Sequence, residues 1–161
     1  MQTTIETVNS WLSDIGTQIG TAIQLDENGL VTLSYSGDLD LSVEFNKLNE
    51  YLYFYATVGN AQGRDRTELF QDLLKRNLFS HETEGGAIGY DDQSDQVIYS
   101  KRFNPLSFES DSFIKTLEAF AMRAAKLKAQ LNEGTGEASS EEATPSEIPA
   151  GGMMNPGFLK A

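Results

Sequence analysis

The chain has 161 residues, with 24 acidic and 12 basic side chains, a formal net charge of −12 and a pI near 4.4. That balance argues against a nucleic-acid binder or a protein held on an anionic membrane, since both need clustered Lys and Arg and the charge here is repulsive. A composition that is 39% hydrophobic and 10% aromatic suits one globular domain, and zero cysteines exclude disulfides, thiolate nucleophiles and zinc–thiolate sites.

Ile5, Val8, Leu12, Ile15 and Ile19 follow the spacing of one helical face, and Thr3 with Glu6 has capping-box spacing, so a first amphipathic helix is expected to end near Gly16 or Gly20. Trp11 sits about one step off that stripe, either as core edge or as an exposed anchor. Asp26-Glu27-Asn28-Gly29 is turn chemistry. Val31, Leu33 and Tyr35 then alternate with polar residues, as do Leu39, Leu41, Val43 and Phe45, and the aromatic, β-branched run YLYFYATVG follows. Three strands in a meander are the economical reading.

Asp65 with Glu68 repeats the capping-box spacing and opens a second helix with Leu69, Phe70, Leu73 and Leu74 on one side, and Asn77 as a left-handed stop. Gly85-Gly86 leads into Ala87–Tyr90, the run Asp91 to Asp95 turns the chain, and Val97–Phe103 completes a second hairpin that Pro105 closes. A last helix beginning near Ser110 or Asp111 lines up Phe113, Leu117, Phe120, Ala124, Leu127 and Leu131. The expected class is α+β in the order α-β-β-β-α-β-β-α, a twisted, mostly antiparallel sheet packed by helices.

Composition changes at the end of that helix, giving a domain over 1–132 and an acidic, disordered tail over 133–161. The tail is built from Gly, Ser, Thr, Pro, Glu and Ala, too little apolar surface to offset its ordering entropy. It holds five acids and one Lys, so a net −8 stays on residues 1–132. Met153, Met154, Phe158 and Leu159 close it as a short docking segment or a frayed end. No stretch approaches the roughly 18–20 apolar residues of a membrane span, and MQTTIETVNSW lacks the basic-then-apolar order of a targeting segment. The expected location is cytoplasmic, with no membrane and no nucleic-acid partner.

Catalytic candidates are few. His81 is the one histidine; just beyond a helix it suits the helix carbonyls better than the work of a base, and no Ser-His-Asp set can be placed around it. Asp38 with Asp40, and Asp91, Asp92 and Asp95, lack the Gly and Glu positions of a calcium loop and fit solvated turns. Gly85-Gly86 opens a strand, whereas a phosphate cradle needs a helix. The sequence therefore reads as no enzyme, with no metal and no cofactor; a small enzyme with paired carboxylates would need acids from separate elements to converge. The unusual feature is the strand Tyr51–Val58. Leu52, Phe54, Ala56 and Val58 lie on one face and Tyr51, Tyr53 and Tyr55 on the other: a helix covers each face, or the tyrosines hold their hydroxyls in water, or the strand is an aromatic surface for a partner.

The order of elements, with the phrases LDENGLVTLSY, YLYFYATVG, LFQDLLKRNLF and GGAIGYDDQSDQVIYSKRFNPL and the closing helix, resembles the class I type III secretion chaperones, the Tir-chaperone family, over residues 3–131. LLKRN, Leu73 to Asn77, is its most specific piece. The resemblance implies a bacterial, cytoplasmic homodimer that holds the N-terminal segment of one or more secreted effectors without ATP hydrolysis, with the secretion ATPase as a further partner. It implies a dimer interface around the second helix and the strand after it, here Leu69, Phe70, Leu73, Leu74 and Ile88, while the apolar character of both strand faces in a small acidic chain points to Trp11, Ile15, Tyr51, Tyr53 and Tyr55 for effector contact. The rival of the same architecture is a YbjN-like regulatory module not dedicated to secretion.

Overall fold

Thr4 opens the first helix: its backbone is extended and its side chain accepts the Thr7 amide at 3.3 Å. The cap thus falls one residue beyond the Thr3 that the capping-box spacing suggested. The computed structural model describes residues 4–36 and 38–133. The expected tail, with its Met and Phe residues, lies outside them. The elements are α1 (Ile5–Ile19), β1 (Leu30–Tyr35), β2 (Leu39–Asn46), β3 (Tyr51–Asn60), α2 (Arg66–Asn77), β4 (Ala87–Asp91), β5 (Gln96–Phe103) and α3 (Ser110–Glu133), with short 3-10 turns at Leu78–Ser80 and Pro105–Ser107. This is the expected order and an α+β fold.

All strand pairs are antiparallel, in the order β1-β2-β3-β5-β4. β1, β2 and β3 form the meander, and the second hairpin inserts so that β5 pairs with β3, leaving β1 and β4 at the edges. Alternation does the sorting. Leu39, Leu41, Val43 and Phe45 of β2 and Leu52, Phe54, Ala56 and Val58 of β3 are buried, and their register sets Val43 opposite Phe54. α3 lies on this face with Phe113, Leu117, Phe120, Ala124, Leu127 and Leu131, every one of them buried, as the heptad-like spacing requires.

Aromatic rings fill the space between. Phe54 has Phe103 at 4.7 Å and Phe113 and Phe120 at 5.7 Å each between ring centroids, and Tyr99 stacks on Phe120 at 4.7 Å and 9°. Each such pair adds about 0.5–1.5 kcal/mol to the stabilisation from burial. The Tyr99 hydroxyl donates to the Thr83 carbonyl at 2.9 Å, and burial first, then Glu84, pushes its pKa up to about 12. Gly86 is what lets β4 enter here: a Cβ would lie 2.6 Å from the Tyr99 ring and 2.7 Å from the Ser100 carbonyl oxygen. Gly85-Gly86 thus serves close strand packing.

Asp65 caps α2, accepting the Glu68 amide at 2.9 Å. Asn77 is not the left-handed stop its type suggested. Its backbone is helical, φ −76°, and the left-handed residues are Phe79 and Ser80. The Asn77 side chain instead donates to the Ile88 carbonyl at 2.7 Å and accepts the Ile88 amide at 2.8 Å, closing the outer edge of β4 where a further strand would pair.

Candidate functional site

The first candidate surface begins with how α1 ends. Gly20 takes the left-handed conformation, φ 75°, and the chain folds back so closely that a Cβ on Gly16 would lie 2.2 Å from the Thr21 carbonyl oxygen. Asn9 of α1 accepts the Leu25 amide at 2.8 Å, holding the returning segment against the helix before β1 begins. The result is an open groove of about 600 Å³ between α1, β1 and α3. Ile15, Ile19, Ile23, Val31, Leu33 and Ile114 give it an apolar lining, and Glu118 is its one charged residue. Ile19 is 65% exposed at its lip. β1 forms both a wall of the groove and an edge of the sheet. Chemically this is a place for apolar side chains of an extended segment, whose backbone can pair with a strand edge.

The five residues named from the sequence for effector contact do not share this surface. Ile15 lines the groove. Trp11 is 7% exposed and belongs to the core, 5.2 Å from Phe113 and 6.1 Å from Phe108 between ring centroids, which is the core-edge alternative. Tyr51, Tyr53 and Tyr55 lie half-buried on the sheet face opposite Phe54. Arg102 stands over the Tyr51 ring at 4.7 Å, Asn49 donates to the Tyr53 hydroxyl at 2.9 Å, and the Tyr55 hydroxyl donates to Glu44 at 3.3 Å. Burial, followed by the Glu44 charge and hydrogen bond, pushes the Tyr55 pKa up to about 12. The Tyr53 and Tyr55 hydroxyls are thus engaged by neighbours within the chain, whereas Tyr51 is covered over its ring.

The groove residues Ile19, Ile23, Val31, Leu33 and Ile114 were in no site predicted from sequence. Ile19 is the last member of the α1 stripe, lying beyond the point where Gly16 meets the returning chain, and Ile114 lies beside the α3 stripe. Those two offsets were the readable signal.

α2 divides in the same way. Leu69 and Leu73, with Ile88 of β4, are buried in the core of this chain, while Phe70 is partly exposed and Leu74 is 71% exposed. Leu78 and Phe79 continue the exposed apolar strip, Phe79 in its left-handed conformation. Phe70 packs on Tyr90 at 5.1 Å. Tyr90 in turn accepts from Arg66 and donates to Asp95 at 2.7 Å, and Arg66 pairs with Asp95 at 2.8 Å. This ties the start of α2 to the β4–β5 turn and stiffens the ground beneath the strip.

Four of the five turn carboxylates have partners within the chain, Asp95 being the one already paired with Arg66. Asp40 accepts from Ser34, Asp38 pairs with Lys128, and Asp91 accepts the Ser94 hydroxyl first and then the Gln93 amide, which hold its carboxyl below the usual range. The His81 ring meets the edge of Phe79 at 6.2 Å instead of the helix carbonyls expected of it. Among the described residues no three metal-ligating side chains converge, and no helix is long and apolar enough to cross a membrane.

A sequence model of the Tir chaperone protein (CesT) family matches residues 10–128. Among solved structures the chain is similar to the ExsC–ExsE complex at a TM-score of 0.71 and 20% identity, covering 79% of this chain and 95% of that one. It is also similar to the HopA1–SchA chaperone–effector complex, at 0.61 and 13%, covering 81% and 98%. YbjN from E. coli shares the fold at 0.63 and 14%, covering 84% and 96%. At these identities the structural likeness is one of fold.

Proposed function

Because the chain belongs to the Tir chaperone protein (CesT) family, we propose that it is a type III secretion chaperone whose α1–β1–α3 groove receives the N-terminal segment of a secreted effector. It keeps that segment soluble and export-competent by binding alone, without ATP hydrolysis. The observation that carries this reading is an apolar groove bordered by an unpaired strand edge in an otherwise strongly acidic chain. An extended segment gains backbone hydrogen bonds from β1 and burial from the groove at once. The fold alone would serve a YbjN-like module equally; family membership favours the chaperone reading. The cytoplasm is the compartment in which this duty is done, before hand-over to the secretion ATPase.

Coexpression with the effector encoded beside the gene, followed by size-exclusion chromatography, tests it. A stable complex is expected, and its absence, with no loss of effector in a deletion strain, would sink the proposal. Ile19→Lys should lower effector affinity at least about tenfold, or about 1.4 kcal/mol, because a charge at the groove lip must be desolvated on binding. Since Ile19 is so exposed, the melting temperature should hardly move.

The tyrosine face is the second contact we propose for a long effector segment, with Ile15 in the groove and Trp11 contributing indirectly by holding α1 against Phe113 of α3. Tyr53→Ala should leave the fold intact and weaken effector binding. A lower melting temperature with unchanged binding would make Tyr53 structural only. Homodimerisation we place on the exposed strip of α2, Phe70 and Leu74, with Leu69, Leu73 and Ile88 backing it from inside the chain. Leu74→Arg is expected to convert dimer to monomer in light scattering without loss of helical circular dichroism; a dimer that persists would move the interface elsewhere.

A further inference from the structure

Residues 148–161, beyond the described chain, read IPAGGMMNPGFLKA: fourteen residues with no acid and one Lys, in a protein of net charge −12. We propose that residues 153–160 occupy the α1–β1–α3 groove of their own chain when no effector is bound, acting as an intramolecular competitor. The competition, though not the contact, rests on the effector reading of the groove.

Three observations converge on this occupant. Chemistry comes first. The groove is apolar with Glu118 as its one charge, and the segment offers Met153, Met154, Phe158 and Leu159 with Lys160 as its one charge. Unbranched Met side chains adapt to an irregular apolar surface, and Lys160 complements Glu118. The acidic stretch between, with Glu137, Glu141, Glu142 and Glu147, has no counterpart in this groove and serves as the connector.

Reach is the second. The α3 wall of the groove, Ile114 to Ala121, lies 12–19 residues back from Glu133, about 18–28 Å along the helix axis. The twenty residues from Glu133 to Met153 span up to about 70 Å when extended, and a Gly/Ser-rich coil of that length averages about 25 Å end to end. The connector length therefore matches the distance, which maximises the effective concentration of an attached ligand. The third is the exposure of the groove itself. Ile19 at 65% exposed beside Ile15, Val31 and Leu33 is apolar surface that an unloaded chaperone must cover or risk associating through.

The chain has no cysteine, so two introduced ones report without background. In the full chain, Gln18→Cys at the groove with Ala161→Cys is compared with Thr67→Cys on α2 with Ala161→Cys. Both first positions are exposed. Intramolecular disulfide formation under a fixed redox buffer should be at least about tenfold faster for the groove pair, and Ile19→Lys or a synthetic peptide of residues 148–161 should remove the preference. Equal rates at the two positions overturn the proposal, as does a disulfide that forms only between chains. If the preference holds while Ile19→Lys still captures the effector, the tail contact stands and the effector reading of the groove falls. If rates are equal while Ile19→Lys loses the effector, the tail contact alone falls.

Discussion

Trp11→Ala is expected to lower stability by about 3–5 kcal/mol, the range for truncating a buried Trp or Phe, with effector capture lost only in proportion to unfolding. Trp11 is 7% exposed and holds two rings, Phe108 from the turn before α3 and Phe113 from its first turns. Those two rings also pack on each other at 6.0 Å, and Phe113 leads on to Phe54. Deleting the indole therefore opens a cavity where α1, α3 and the sheet meet. Against a total of about 5–15 kcal/mol for an ordinary domain, that is a large share. Chemical denaturation checks it: the midpoint should fall with little change in slope. Loss of effector capture at an unchanged midpoint would instead make Trp11 a surface anchor.

Asn77→Ala should cost about 2–4 kcal/mol, because it orphans an amide and a carbonyl together at one buried residue, each worth about 1–3 kcal/mol when left unpaired. The Ile88 amide and carbonyl have the Asn77 side chain as their partner at 2.8 and 2.7 Å. Asn77→Asp would retain an acceptor for the amide but set a carboxylate oxygen against the carbonyl, so it should recover little. Hydrogen exchange gives the local readout. The Ile88 amide should lose most of its protection while the strand centre on β3 keeps its own. Unchanged exchange at Ile88 would show that α2 shields this edge without the side-chain bonds.

Much of the fold was legible because it is written in short-range periodicity. The α3 stripe from Phe113 to Leu131, the alternation in β2 and the turn residues between the strands each follow from spacing a reader can count. The groove was not legible, because its wall is the returning segment after Gly20, which has no period and is placed by a tight approach of Thr21 to Gly16 and by one long-range bond from Asn9. Trp11 was ambiguous for a related reason. The buried face of α1 is widened by Phe108 and Phe113, some hundred residues away, so a position one step off the stripe becomes interior. Asn77 misled in a third way. Its residue type suggests a backbone role at a helix end, whereas its side chain serves a strand eleven residues later. On α2 the four apolar residues could be counted but not divided, since Leu69 and Leu73 face their own core while Leu74 faces out, and only packing decides that.

The two edges of the sheet are unlike. At β4 the helix α2 closes in and Asn77 occupies the backbone groups of Ile88, the second residue of a five-residue strand; at β1 Asp26 takes only the groups of Leu30, at the strand's start, and no further strand pairs. A sheet with two open edges can pair tip to tail without limit and grow a fibre. One that is stoppered on one side has a capacity of a single added strand. On the groove reading, strand addition at β1 would then load one guest segment per copy, and the described residues offer two copies an edge-to-edge pairing through β1 that closes on itself instead of one that runs on.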